Sequence, residues 1–392
     1  MQYPKVDCGR APVSVHVAAF ESETGVGEFD IVAQVHEYAA AEAQLQWLAE
    51  AYEAALDALG LGAGTTVLRR FFCSDLQNQK EALSKRAFSN PEQARSPFAA
   101  SWVQQPPRPP ARLALWACHV NPKSAPLHKD YRDNTLTLQR GDLHHSWTTG
   151  LVYPGADTSY GQTRGIFEQY NGVLEAGGMT LEDHVLRTWL YVRNVDANYQ
   201  GMVAARREIF ADHNLTPDTH FIASTGIEGG AREIGAKVAM DAYAVAGLRP
   251  GQVEYLAAPE HLSPTHVYGV TFERATAVSY GDRKHLFISG TASIDAEGRI
   301  VHPGDVARQL DRTVENMAAL LEAGGASLQD MGAVIAYVRD PADQPAIETG
   351  LRQHFGNAPV VVLVAPVCRP GWLVELEGRA ILPAGRPELP AF

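Results

Sequence analysis

The sequence is poor in the features that usually declare a compartment or a partner. Its 392 residues hold 4 cysteines, Cys8, Cys73, Cys118 and Cys368, with no CxxC spacing, and the opening MQYPKVDCGR has no apolar leader core. That pattern predicts free thiols, no disulfide framework and a cytoplasmic chain. No apolar run approaches about 18 residues, so no membrane-spanning helix is expected. Clustered basic residues are missing too: 33 Lys and Arg against 45 Asp and Glu leave a net charge of −12. Nucleic-acid binding needs a basic surface, so a small molecule is the expected partner. Histidines number 14, yet His144 and His145 are adjacent in the alternating run NTLTLQRGDLHHSWTTGLVY, where neighbours point to opposite faces. Neither a metal nor another cofactor is expected.

What the chain does have is self-similarity. Residues 174–193, LEAGGMTLEDHVLRTWLYVR, return in altered form at 321–339, LEAGGASLQDMGAVIAYVR, and more faintly at 56–75, LDALGLGAGTTVLRRFFCSD. Each copy reads as a helix end with a Gly stop, a capped turn and a β-rich run. Spacing of domain length rather than solenoid length implies fused copies of one small domain. Three such units are expected, at about 1–120, 121–250 and 251–392.

Period and punctuation order the elements within a unit. In the third, HVYGVTFERATAVSY and HLFISGTASI are β-rich and separated by the hairpin signal Gly281-Asp282. A helix follows from Gly304 to Ala323, with Val306, Leu310, Val314, Met317, Leu320 and Leu321 at helical spacing and Gly324-Gly325 as its stop. Then come the strand GAVIAYVRD, a helix bearing Ile347, Leu351 and Phe355, and the strands APVVVLVAPV and LVELEGRAIL. The order is ββαβαββ. The second unit repeats it from about Thr135, with helices at 162–176 and 198–213; the first has helices at 40–59 and 78–87. Amphipathic helices beside alternating strands give an α+β class with helices on one sheet face. Packing three sheets about a shared axis would cover the other face, making the chain an intramolecular pseudo-trimer, alone or in a further homo-oligomer. The stretches QQPPRPPAR (104–112) and NPKSAPLHKDYRD (121–133) read as connectors or lids.

The third unit, with FISGTAS, a GD opening its helix, YVRD and VELEG, resembles the Rid/YjgF family of trimeric enamine/imine deaminases with clefts between subunits. LRTWLYV, SGTAS, HPGD, YVRDPAD and CRPGWLVELEG together resemble the chorismatases more closely, over roughly residues 110–385. In that family fused Rid-like units hydrolyse chorismate and release pyruvate. The resemblance implies three fused Rid-like domains and a small-molecule carboxylate substrate.

Glu375 and Glu377 are two apart on LVELEG and point to the same face of a regular strand. The pleat cannot choose between them; the chorismatase-like motif selects Glu375. An acid in an apolar setting has a raised pKa and can protonate an enol-ether methylene near neutral pH. The resemblance gives Arg187 the part of carboxylate anchor; an arginine amid VLRTWLYV must be paired or line a cleft, which leaves a structural ion pair open. Arg274 in TFERA and Arg369 beside Cys368 are further cationic candidates. Ser289 and Thr291 flank Gly290 in a loop that lines the cleft in the related families, Tyr268 matches a cleft tyrosine, and Cys368 is expected to line rather than attack, with no base near it in sequence.

The chain also departs from both patterns. Rid deaminases carry a carboxylate-clasping arginine just past the Pro before the penultimate strand; here Pro359 is followed by Val360, Val361 and Val362, and the other copies have Ile222-Ala223 and Ala99-Ala100. Where chorismatases tend to have an arginine before YG and a GH-type continuation after SGTAS, this chain has Thr265-His266-Val267 and Ile294-Asp295-Ala296. Aligning LVELEG with VAMDAY and LALWAC sets Met240 and Leu115 opposite Glu375, so a single chemical cleft is expected. Three functions fit: a chorismatase-like hydrolase using Glu375, an enamine/imine deaminase, or a non-catalytic small-molecule binder.

Overall fold

The computed structural model describes residues 1–9, 12–22, 25–123 and 126–392; the side chain of Tyr268 also lies outside the description. The first unit runs β1 (Val13–Glu21), β2 (Gly27–Val35), α1 (Ala41–Ala58), β3 (Thr66–Cys73), α2 (Leu76–Ser84), β4 (Ala99–Gln104) and β5 (Leu113–Asn121). The second runs β6 (His128–Arg132), β7 (Thr135–Arg140), β8 (Leu143–Leu151), α3 (Ser159–Ala176), the one-turn α4 (Leu181–His184), β9 (Val185–Val192), α5 (Val195–Asp212), β10 (Ala223–Glu228) and β11 (Val238–Ala246). The third runs β12 (Val253–Leu256), β13 (Ala275–Ser279), β14 (Arg283–Ala292), α6 (Val306–Ala323), β15 (Met331–Val338), α7 (Gln344–Phe355), β16 (Val360–Val364) and β17 (Val374–Pro383).

Three sheets result, ordered β1-β2-β5-β3-β4, β6-β7-β8-β11-β9-β10 and β12-β13-β14-β17-β15-β16. They share one pattern: a hairpin, a final strand inserted antiparallel at the centre, and a parallel edge pair made by a helical crossover. β6 and β12 are additions to the expected ββαβαββ. The stretch 121–133 is therefore not a bare connector, because HKDYR pairs with β7. In the third unit the β-rich reading of HVYGVTFERA also gives way. Thr265–Tyr268 is a 3-10 turn and the strand starts only at Ala275. Pro264 sets the start of that turn, and Gly269 ends it at φ 83°, a left-handed conformation glycine adopts without Cβ strain.

Alternation along the central strands explains how both faces are covered. On β5, Leu113, Leu115 and Ala117 pack under the helices of their own unit, while Ala114, Trp116 and Cys118 join a core shared with Trp189 and Tyr243 of the second unit and Phe287 and Ile335 of the third. The helix-free faces thus meet about a common axis.

That axis also holds charge. Arg70 of the first unit meets Asp241 of the second at 3.0 Å, Arg187 of the second meets Glu377 of the third at 2.6 Å, and Arg379 of the third meets Asp30 of the first at 2.9 Å. Each pair bridges a different seam, closing a ring. Buried ions are tolerated only when paired and hydrogen-bonded, and these are: Asp241 also accepts from Ser101, Tyr191 and the Gly150 amide, and Glu377 from Trp189 and Tyr337.

Candidate active site

The three seams are built alike. β4 packs on β8, β10 on β14 and β16 on β2, so the parallel edge strand of one unit leans on the hairpin of the next. Between β10 and β14 lies a cavity of about 90 Å³. With a water needing about 10–15 Å³ of such space, it suits a small molecule rather than a polymer. The second unit contributes Tyr199 and Arg206 from α5 and Ser224 to Gly226 from β10; the third contributes Phe272, Arg274, Gly290, Cys368, Arg369, Trp372 and Glu375.

Glu375 enters from β17, opposite Tyr337 on β15 and Ala292 on β14. The β14–β17 ladder slips between Ile288 and Thr291, so the chain bends at Ser289-Gly290 over the carboxyl. Burial, reinforced by the Glu377 carboxylate, pushes Glu375 up to about 8, against the opposing fields of Arg187 and Arg274. At neutral pH it holds a proton it can give. Trp372 closes one wall, its indole donating to the Ser293 carbonyl at 3.0 Å.

Arg187 is placed differently from the anchor expected of it. It is 2% exposed, does not line the cavity, and gives its guanidinium to Glu377 and to Thr225 Oγ1 at 2.5 Å. Thr225 Oγ1 in turn accepts the Gly290 amide at 2.9 Å. Arg187 therefore braces the wall of the cleft from behind. The pair forms because a lone arginine at that depth would be prohibitive and the carboxylate of Glu377 is the group that reaches it.

Ser289 and Thr291 likewise turn away. Ser289 Oγ donates to the Glu273 carbonyl at 2.6 Å and accepts the Ser224 amide at 2.9 Å, stitching two units, and Thr291 Oγ1 donates to the Ser289 carbonyl at 2.9 Å. Their hydroxyls serve main chain at the bulge; Gly290 and Ala292 face the cavity instead. Arg274 lines it, with Nη2 donating to the Ser263 carbonyl at 2.8 Å, and Arg369 lines it with its guanidinium 4.9 Å from the Trp372 ring. Cys368 lines it as well; burial pushes its thiol up to about 12 and its hydrogen-bond partner is the Tyr199 hydroxyl, which leaves no thiolate for attack. The backbone of Tyr268 ends the turn just before the cavity-lining Gly269 and Val270, and its side chain lies outside the described residues.

Sequence reasoning missed Arg206, Tyr199 and Thr225. Arg206 had a signal: it sits on the apolar stripe of α5 with Met202, Val203, Ile209 and Phe210, where a charge needs a cleft or a partner.

The register also corrects the alignment of units. β3, β9 and β15 are each eight residues long and end opposite Leu113, Val238 and Val374. Counted from there, the counterparts of Glu375 are Ala239 and Ala114, not Met240 and Leu115. Asp241 is instead the counterpart of Glu377, and both bind an arginine across a seam.

Three units of one α+β pattern fused about an axis, with the buried Glu375 carboxyl in an inter-unit cleft, define a pseudo-trimeric Rid-type protein. Residues 275–382 match the family described as Endoribonuclease L-PSP. A chorismatase from Streptomyces rapamycinicus is 30% identical over 231 residues, 53% of this chain and 67% of that one. A 3-hydroxybenzoate synthase from Streptomyces hygroscopicus is 27% identical over 221 residues, and the match spans 50% of this chain but only 62% of the synthase. A solved chorismatase superimposes with a TM-score of 0.62 at 21% identity, covering 81% of this chain and 94% of that one, a likeness of fold. The chain belongs to the chorismatase family, the fused branch of the Rid/YjgF superfamily.

Proposed function

We propose that the cleft between the second and third units hydrolyses chorismate or a related cyclic enol-ether carboxylic acid, releasing pyruvate. Glu375 gives its proton to the terminal methylene of the enol ether, and the resulting oxocarbenium carbon is attacked by water. The attacking water's proton returns to the Glu375 carboxylate. Collapse of the hemiketal breaks the bond from that carbon to the ether oxygen borne by the ring, the hemiketal hydroxyl's proton passing to that oxygen, which gives pyruvate and a ring alcohol. A positioned acid of this kind typically contributes about 10²–10⁴-fold in rate.

The observation that carries this reading is a carboxyl raised to about 8 inside a cavity that Arg206, Arg274 and Arg369 also line. Those guanidiniums, which line the cavity where Arg187 does not, supply the field for a carboxylate substrate. The relatives named chorismatase support the substrate class, and the relative named 3-hydroxybenzoate synthase makes the fate of the ring a separate question. Incubating the purified chain with chorismate and assaying pyruvate tests the reading, with chromatography of the ring product. Glu375→Gln should lose about 10²-fold or more. Equal release by wild type and variant refutes the acid assignment; ammonia from an imino acid, without pyruvate from chorismate, would mark a deaminase instead.

A further inference from the structure

Another seam of the molecule keeps cationic positions of the first cleft and drops its acid. Between the third and first units, where β16 leans on β2, lies a cavity of about 390 Å³ lined by Ser14, His16, His36, Arg108, Arg352 and the flanking valines Val360 and Val362. Arg352 stands fourteen residues past Val338, the end of β15, as Arg206 stands fourteen past Val192, the end of β9. Arg108 stands five residues before Leu113, the start of β5, as Arg369 stands five before Val374, the start of β17. Both arginine positions recur, although nothing in the fold demands them: at the remaining seam the same counts fall on Ala87 and Glu233. At the position of Glu375 this seam has Ala114, paired with Phe72 as Glu375 is with Tyr337.

We propose that this cleft is a second binding site, for a small organic monocarboxylate that bears an apolar ring, held by Arg352 and Arg108 without chemistry of its own. Charge sets the valence. Arg108 is paired with Glu348, whereas Arg352 forms no ion pair among the described residues, leaving one guanidinium for one anion. The imidazoles add no further positive charge at neutral pH. Partial burial at the cavity mouth, with Arg352 nearby, holds His16 below its ordinary range; partial burial also holds His36 low, helped by Arg352 and Arg108 and opposed by the Glu348 carboxylate. His36 Nε2 instead meets Ser14 Oγ at 2.7 Å, a polar pair beside the arginines. Val360 and Val362 replace Ser224 and Gly226 of the first cleft, giving an apolar wall for a ring.

The site does not depend on the chemistry of Glu375, so its test is separate. Benzoate is titrated into the full chain and into Glu375→Gln while the ring signals of His16 and His36, identified by His16→Gln and His36→Gln, are followed by NMR. Both signals should shift saturably in both proteins with a Kd of about 1 mM or tighter, and Arg352→Ala should weaken binding roughly tenfold, about 1.4 kcal/mol. Arg352 is exposed, so the variant should fold; Arg108→Ala provides a second lesion in the same cleft. Absence of saturable shifts at these two rings, or an unchanged Kd in both arginine variants, overturns the proposal.

Discussion

A methyl group on Gly290 would lie 2.1 Å from Oε1 of Glu375 and 2.9 Å from its Cδ, so the acid rests directly on bare backbone. Thr225 fixes that backbone through the Gly290 amide. Gly290→Ala should therefore turn the carboxyl out of place rather than unfold the protein, because the clashing atoms are the end of a flexible side chain. Pyruvate release is expected to fall by about 10²-fold, with stability changed by no more than about 1–3 kcal/mol, the usual cost of overpacking. Loss of folding without selective loss of turnover would speak against this placement.

The acid at about 8 predicts a pH profile. Activity as kcat/KM should be level below pH 8 and fall about tenfold per unit above it, as the proton is lost. Stability should follow with a definite sign. A folded pKa above the ordinary 4.5 means the native state holds the proton more tightly, so stability declines as pH rises from about 4.5 to about 8. The limiting slope is about 1.4 kcal/mol per unit. Denaturant unfolding of wild type against Glu375→Gln should show the variant's relative stability growing over that window and levelling off beyond it.

Opposite shifts are expected from the two members of the pair behind the acid. Glu377→Gln removes the carboxylate that raises Glu375 and should move the basic limb of the activity profile to lower pH; Arg187→Met removes an opposing charge and should move it higher. Each single change strands a buried partner and should cost about 3–5 kcal/mol in unfolding experiments, while Arg187→Met combined with Glu377→Leu should recover much of the loss.

Arg70 and Asp241 form the matching pair at the first seam, 3.0 Å apart and buried. Arg70→Met should destabilise by a similar few kcal/mol. Arg70 is absent from the charges acting on Glu375, so the pH at which activity falls should stay where it is. A moved limb would show that the axis is electrically continuous with the cleft.

Much of the architecture was legible in local pattern. The Gly-stopped amphipathic helix α6 and the β-rich strands β14 and β15 follow from period and punctuation, and the recurrence of LEAGG gave the fused units. Register was less accessible. Ladder slips at Met240/Ala242 and Met331/Ala333 are invisible in one dimension, and a single-residue offset put Met240 and Leu115 where Ala239 and Ala114 stand. The pleat set Glu375 and Glu377 on one face, yet their roles diverge because Arg187, 190 residues from Glu377, crosses a seam to one of them. Arg187 reads from its motif as a carboxylate anchor, with an ion pair left open as the alternative; only the third dimension separates these. Arg206 was visible as a charge on an apolar helix stripe, but its destination lies on the neighbouring unit's edge.

The ring of Arg70–Asp241, Arg187–Glu377 and Arg379–Asp30 takes its arginine from a different position at each joint, although Asp241 and Glu377 correspond. A true homotrimer repeats every side chain three times, so a change helpful at one interface is imposed on the others. In this covalent version each joint has its own key, the lobes cannot trade places, and evolution can edit any one groove while its siblings stay as they were.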